Sequence, residues 1–324
     1  MKKFLVTGGT GFVGSALVKR LLQDGHKVRV LDDNSRGADR RLNDVKGDFE
    51  MVLGDIRDSS VVDKAMRGID AIHHLAYING TKYFYEVPEL VLEIAVKGMI
   101  NTLDSAIKHH VREIYLASSS EVYHHALKIP TDESVPLVIP DIKNPRFSYG
   151  GGKIICELLA VNYGRKFFDR VCIYRPHNVY GVDMGWEHVI PQFSLRLKEL
   201  SAKYPLGKIK FHLQGSGDET RSFCHIRDFI DGVILLQDKG EHLNVYNIGT
   251  LEEISVSHLA SVIASSLGKE LDIIPGEILD GSTPRRCPDI TKMFALGYSP
   301  QIDLRSGVPD VAHWYWQSSR PSFS

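Results

Sequence analysis

Residues 7–14 read Thr7-Gly8-Gly9-Thr10-Gly11-Phe12-Val13-Gly14, with glycines at 8, 11 and 14. The stretch follows a short apolar run, Phe4 to Thr7. It precedes a segment of helical period that places Leu17, Val18, Leu21 and Leu22 on one face and stops at Gly25. Strand, glycine turn and helix, in that order, make a phosphate cradle: glycine lets the backbone approach a pyrophosphate, and the N–H groups of the helix start face its charge. Asp32 ends the next apolar run, about 20 residues on, where a carboxylate accepts hydrogen bonds from adenosine ribose hydroxyls. The same charge repels a 2′-phosphate, so the cofactor expected is NAD, with Arg29 and Arg36 near enough in sequence to blunt the preference over NADP. Contacts are expected from Gly8, Gly11, Phe12, Val13, Gly14 and Asp32. Asp55 and Ile56, just past the third strand, are candidates for the adenine edge, although an acidic residue there is also a common helix cap.

Working outward, short apolar runs alternate with helical stretches, as in βα units building a parallel sheet. Strands are predicted at Phe4–Thr7, Val28–Leu31, Met51–Leu53, Ala71–His74, Ile114–Ala117 and Val171–Tyr174, with further helices at Val61–Met66, Pro88–His109 and Tyr149–Phe168. The class is α/β, a doubly wound parallel Rossmann sheet of at least six strands with its ligand over their carboxyl ends. After Arg175, Gly, Pro and aromatic residues become frequent, and one run, Val245–Ile248, reads as a strand rejoining the sheet. Residues 1–180 with about 226–250 are therefore expected to form the NAD-binding domain. Residues 181–225 and 251–324 form a smaller, interleaved substrate-binding lobe. The Ser-rich C-terminal tail is expected to fray.

At 324 residues, 43% hydrophobic and 24% charged, the chain has enough apolar content for one large core or two coupled ones. Lys and Arg total 39 against 40 Asp and Glu, so neither nucleic acid nor an anionic membrane is an expected partner. No apolar stretch approaches a membrane span. Cys156, Cys172, Cys224 and Cys287 show no CxxC spacing, which suits a reduced, cytoplasmic setting and gives no metal site.

Tyr149 and Lys153 are four apart at the start of a predicted helix and project from one face. A phenol acting as a base near neutrality needs its pKa lowered by roughly three units, which a neighbouring ammonium and a cationic nicotinamide together can supply. The fifth strand runs into Ser118-Ser119-Ser120-Glu121-Val122-Tyr123, bringing hydroxyls and a carboxylate to the same sheet end. Gly150, Gly151 and Gly152, poor helix formers, suggest close passage of a ligand.

Together, TGGTGFVG at 7–14, HLA at 74–76, SSSEVY at 118–123, YGGGK at 149–153, RPHNVYG at 175–181 and TRSFCHIRD at 220–228 resemble the extended short-chain dehydrogenase/reductase family, in its nucleotide-sugar epimerase, dehydratase and decarboxylase branch. The resemblance covers nearly the whole chain. It implies Tyr149 as catalytic base, Lys153 as its steadying cation and ribose contact, and Ser119 as a hydrogen-bond partner of the sugar 4-hydroxyl. It adds Asn34, Leu75 and Ala76 as cofactor contacts. Ser120, Asn178, Arg221 and one of Arg285 or Arg286 are implied on the substrate side, with Arg286 preferred because Arg286-Cys287-Pro288-Asp289-Ile290 is similar to the RxPDI of UDP-glucuronate decarboxylases. Tyr77, flanking the expected sugar pocket, and His188, near the predicted cleft, are substrate candidates by position. The implied substrate is a nucleotide-diphosphate sugar, oxidised transiently at C4 to a 4-keto intermediate. Glu121 implies further chemistry at C5 or C6.

The chain departs from the family pattern at His124, where glycine is usual, at Tyr77, where alanine is usual, and at Ala95, where asparagine is frequent. A plain 4-epimerase, a UDP-glucuronate decarboxylase, a reductase releasing a reduced product and a non-catalytic NAD-binding sensor are the alternative readings. Tyr83, Phe84 and Tyr85 are candidates for the sugar pocket, His177 for a substrate contact. A homodimer through the helices at Pro88–His109 and Tyr149–Phe168 is implied by similarity.

Overall fold

The computed structural model describes residues 1–124, 126–277 and 283–318. Residues 319–324, part of the tail expected to fray, lie outside the described residues. The first half runs β1 (Lys3–Thr7), α1 (Phe12–Gln23), β2 (Lys27–Asp32), β3 (Glu50–Leu53), α2 (Ser59–Met66), β4 (Ala71–His74), α3 (Thr81–Glu86), α4 (Pro88–Lys108), β5 (Glu113–Ala117), α5 (Ser148–Phe167) and β6 (Arg170–Pro176). The second half runs β7 (Val179–Tyr180), α6 (Val189–Lys203), β8 (Ile209–His212), β9 (Thr220–Ser222), β10 (Cys224–His225), α7 (Ile226–Lys239) and β11 (Asn244–Ile248). It ends with β12 (Glu253–Ser255), α8 (Val256–Ser266), β13 (Leu271–Ile274), β14 (Arg285–Arg286), α9 (Thr291–Leu296) and α10 (Leu304–Gln317).

Seven strands pair in the order β11-β6-β5-β4-β1-β2-β3, all parallel. The predicted Val245–Ile248 run is the edge strand, with Val245 opposite Ile173. Alternation along β1 shows why helices cover both faces. Leu5 joins one core with Val91, Met99 and Cys156, and Phe4 and Val6 join the other with Leu17, Val18, Leu21 and Phe229. Gly25 takes φ +81 just after α1, the left-handed residue that ends the helix. The order in which successive strands are added reverses between β1 and β4, and a crevice at that switch point is where an open α/β sheet binds ligands.

A third core, with Leu197, Phe211, Leu259, Ile263, Val308 and Tyr315, unites α6, α8 and α10 with the parallel pair β8–β13. Residues 290–298, which the sequence division put with this lobe, pack elsewhere: Ile290, Met293 and Tyr298 belong to the core on the α1 and α7 face of the large sheet. The Asp183 carboxylate clamps lobe to sheet domain, accepting from Arg40 at 2.5 and 2.7 Å and from Arg41 at 3.0 Å.

Candidate active site

A cleft of about 440 Å³ runs over the carboxyl ends of the strands, from the glycine turn to the serine loop after β5. At the turn end its wall is largely backbone. Gly8 has φ +73, and a Cβ on Gly14 would lie 2.1 Å from the Gly8 carbonyl oxygen, so neither position accepts a side chain. Gly11 differs, since a Cβ there meets nothing nearer than the Gly8 oxygen at 3.1 Å and would project into the cleft. No side chain caps α1 at Gly11, and Phe12, Val13 and Gly14 line the cleft, leaving the helix start directed at a ligand. These features fit the pyrophosphate of a dinucleotide.

Asp32 lies at the cleft edge and its carboxylate accepts from the N–H groups of Thr10 and Asn34, each at 2.9 Å. Arg29 points away, bonded to Glu50 and to the carbonyls of Ala65 and Arg67, and does not oppose Asp32. Arg36 lines the cleft with its guanidinium 4.4 Å from the Tyr83 ring centroid. Asp55 and Ile56 line it as well, and the helix cap is Asp58, which accepts from Ser60 and Val61. Asp55 pairs instead with Arg57 at 2.6 Å. Leu75 and Ala76 complete this end, both N–H groups donating to the Thr7 hydroxyl.

At the other end, Ser119, Tyr149 and Lys153 line one wall. Burial pushes the Tyr149 phenol well above its ordinary pKa, and a hydrogen bond with the Ser119 hydroxyl pulls the other way. Lys153 donates to the Ala117 carbonyl at 2.7 Å, and burial lowers its ammonium to about 8. Phe84 stacks on the Tyr149 ring at 5.0 Å. Behind this wall lies a buried network in which Glu157, one turn beyond Lys153, accepts from Arg175 at 2.6 and 2.9 Å and from Ser118. Arg175 also donates to the Tyr123 hydroxyl at 2.6 Å, tying the serine loop to α5 and β6.

Glu121 faces the lobe. Its carboxylate accepts from Arg286 at 2.5 Å and pairs with Arg146 at 3.5 Å. Burial would raise its pKa, but the two guanidiniums outweigh it and hold the carboxyl at about 2. Arg286 stands in register with Arg221 across the β14–β9 pair, and burial with the neighbouring charge of Arg286 lowers Arg221 to about 10.

The cleft thus gathers Gly8, Gly11, Phe12, Val13, Gly14, Asp32, Asp55, Ile56, Leu75, Ala76, Tyr77, Ser119, Ser120, Glu121, Tyr149, Lys153, Asn178, His188 and Arg286 from the sequence-predicted set. Two of that set stand apart from its wall. Asn34 takes φ +59 and turns its side chain to Thr10 and Asp39, at 2.8 and 2.9 Å. Arg221 donates to the Thr220 carbonyl beside Arg286. Arg285 is turned to Glu253 at 2.7 Å, and of the two arginines it is Arg286 that lines the cleft. His177 is buried against Asn247 and does not line the cleft, and Tyr85 is exposed. Gly150–Gly152 do not make room for a ligand. A Cβ on Gly150 would meet His124 at 2.7 Å, on Gly151 Ile139 at 3.3 Å, and on Gly152 the Tyr77 hydroxyl at 2.1 Å. Arg146, in the turn before α5, is a cleft residue the sequence did not flag.

The chain matches the model of the NAD-dependent epimerase/dehydratase family over residues 4–249, and it belongs to that family. It is accordingly an enzyme, with NAD as its cofactor. It is 30% identical over 98% of its length to a Methanocaldococcus jannaschii protein assigned as a UDP-glucose 4-epimerase, covering 99% of that protein. It is 31% identical over 95% of its length to UDP-glucuronic acid decarboxylase 6 of Arabidopsis thaliana, covering 87% of it. Among solved structures, DesIV, a dTDP-glucose 4,6-dehydratase from Streptomyces venezuelae with NAD bound, superposes with a TM-score of 0.84 at 29% identity, over 97% of this chain and 96% of the other.

Proposed function

We propose that the enzyme acts on a nucleotide-diphosphate sugar, oxidising it transiently at C4 and then carrying out chemistry at C5 or C6. The observation that supports this most is the convergence of Ser119, Tyr149 and Lys153 on the cleft that begins at the glycine turn. Bound at that turn, NAD would supply the acceptor for the C4 hydride. Tyr149 takes the 4-hydroxyl proton; burial opposes the phenolate and the Ser119 hydrogen bond favours it, and the neighbouring Lys153 ammonium with the cationic nicotinamide of bound NAD would bring its basicity into range. A ketone at C4 acidifies the C5 hydrogen and weakens the bond to a C6 carboxylate.

Glu121 is the group we assign to that second stage. Paired with Arg286 it is a weak base; an anionic group of the substrate that draws Arg286 away returns basicity to it. The cluster of Arg146, Arg286 and the neighbouring Arg221 suits a diphosphate and, next to it, a sugar acid. A decarboxylase of a nucleotide hexuronate is therefore the second reading, favoured by Ser120, Glu121 and Arg286 sharing one cleft.

We also propose a homodimer through the outer faces of α4 and α5, where Leu92, Ile155 and Leu158 are exposed while Ile94 and Leu103 serve the chain's own core. A cytoplasmic location is proposed from the four free, buried cysteines. No helix among the described residues is long and apolar enough to cross a membrane.

Incubation with UDP-, GDP-, CDP- and dTDP-linked hexoses and hexuronates, read by mass spectrometry and proton NMR, tests the reaction. Loss of water or carbon dioxide supports the two-stage reading, and an unchanged mass with inverted coupling at C4 reduces it to epimerisation. No conversion of any member, with NAD bound, contradicts it.

A further inference from the structure

The Tyr77 side chain is held at both ends. Its hydroxyl donates to the Tyr149 carbonyl at 3.3 Å and fills the slot that Gly152 and Ala95 leave open, for a Cβ on Gly152 would lie 2.1 Å from that hydroxyl and 2.9 Å from the Ala95 Cβ. Its ring meets the Tyr149 ring edge to face, with centroids 5.0 Å apart. The Lys153 Nζ stands 4.0 Å from the Tyr77 centroid, closer than to the Tyr149 ring at 5.9 Å. Tyr77 comes from the loop after β4, and Tyr149, Gly152 and Lys153 from the first turns of α5. One side chain therefore touches both reactive residues and the backbone between them.

We propose that Tyr77 is a positioning residue of the reactive pair, its ring face fixing the Lys153 ammonium opposite the cleft while its hydroxyl anchors the ring between α4 and α5. A ring face attracts a cation most where water is excluded, as it is around Lys153. The other groups facing Lys153 are His74 from β4, Tyr149, Cys156 and Glu157 from its own helix, and the Ala117 carbonyl from β5. Glu157 is engaged by Arg175, and burial keeps the His74 ring neutral at ordinary pH and the Cys156 thiol protonated. The Tyr77 ring and the Ala117 oxygen thus stand with the Glu157 carboxylate among the near groups that favour the charged lysine. A residue that only filled space would give Lys153 no such preference.

The role rests on reading Tyr149 and Lys153 as the reactive pair, but its test follows an ionisation and not turnover, so the two can fail separately. The intact protein, labelled with ¹³C at lysine Cε, is titrated by NMR, with Lys153→Met assigning the resonance. Tyr77→Phe retains the ring and is expected to leave the Lys153 midpoint within about 0.2 pH unit of the wild type, whereas Tyr77→Leu lowers it by roughly 0.5 unit or more. Unmoved resonances of the other lysines report an intact fold, and Tyr77→Met serves if the leucine variant is unstable. A leucine or methionine variant that titrates like the wild type, or a higher midpoint from water entering the vacated space, overturns the proposal. So does a phenylalanine variant that shifts as far as leucine.

Discussion

The two ends of the cleft are built on different principles. The turn end is built around the backbone of one continuous stretch, and its glycines are fixed by close backbone approach: Gly14 must be bare because the Gly8 oxygen lies where its Cβ would go, and Gly8 because the Ala76 N–H lies 2.8 Å from where its own would be. The sugar end is made of side chains from distant segments, with Glu121 and Arg286 separated by 165 positions yet bonded at 2.5 Å. The first kind of site survives side-chain variation around it and tolerates no change of its own backbone. The second is adjustable, and three positions that depart from the family pattern, Tyr77, Ala95 and His124, cluster there against the glycines of α5.

That contrast predicts separable failures. The largest is at the sugar end. Tyr149→Phe is expected to lower turnover by about 10²–10⁴-fold while NAD affinity, measured by calorimetry, is unchanged. A parallel loss of NAD binding would mean the two ends are not independent. Next, Gly14→Ala drives a methyl into the Gly8 carbonyl, which costs about 1–3 kcal/mol of stability in a thermal melt and abolishes NAD binding. Normal NAD affinity in that variant would remove the turn from the cofactor site. Glu121→Gln is expected to stop loss of water or carbon dioxide, with any 4-epimerisation spared, and equal product ratios before and after would make Glu121 a bystander.

Smaller effects sharpen the picture. Because burial lowers Lys153 from the ordinary lysine range to about 8, its ammonium is complete below that pH and lost above it. Turnover should fall as pH rises through about 8. A profile flat to the ordinary lysine range would contradict a need for the charged form. Smallest of all, Asn34→Ala should lower stability by about 0.5–1.5 kcal/mol through its bonds to Thr10 and Asp39, leaving NAD affinity nearly unchanged.

The same division explains what could be read from sequence. The glycine turn, the alternating strands and Asp32 are local patterns, and the edge strand at Val245–Ile248 announced itself by four consecutive residues of strand character. For Asn34, implied as a cofactor contact by the family resemblance, sequence could not reveal the left-handed φ and the side-chain bonds to Thr10 and Asp39. The triple glycine at 150–152 shows that side chains are absent but cannot show what occupies the space, which is protein: His124, Ile139 and Tyr77. Arg146 carries no local signal, since its role arises from Glu121 approaching it through the fold. The lobe strands β8, β9, β12, β13 and β14 are two to four residues long and pair across distant segments, below the reach of a periodic reading.

The central claim is that hydrogen leaves sugar C4 as hydride and is returned within the site. It is tested most directly by turning over the sugar nucleotide selected by the panel, deuterated at C4, in ordinary water. The account predicts that the deuterium is recovered in the carbon skeleton of the product. Deuterium released to the solvent would contradict it.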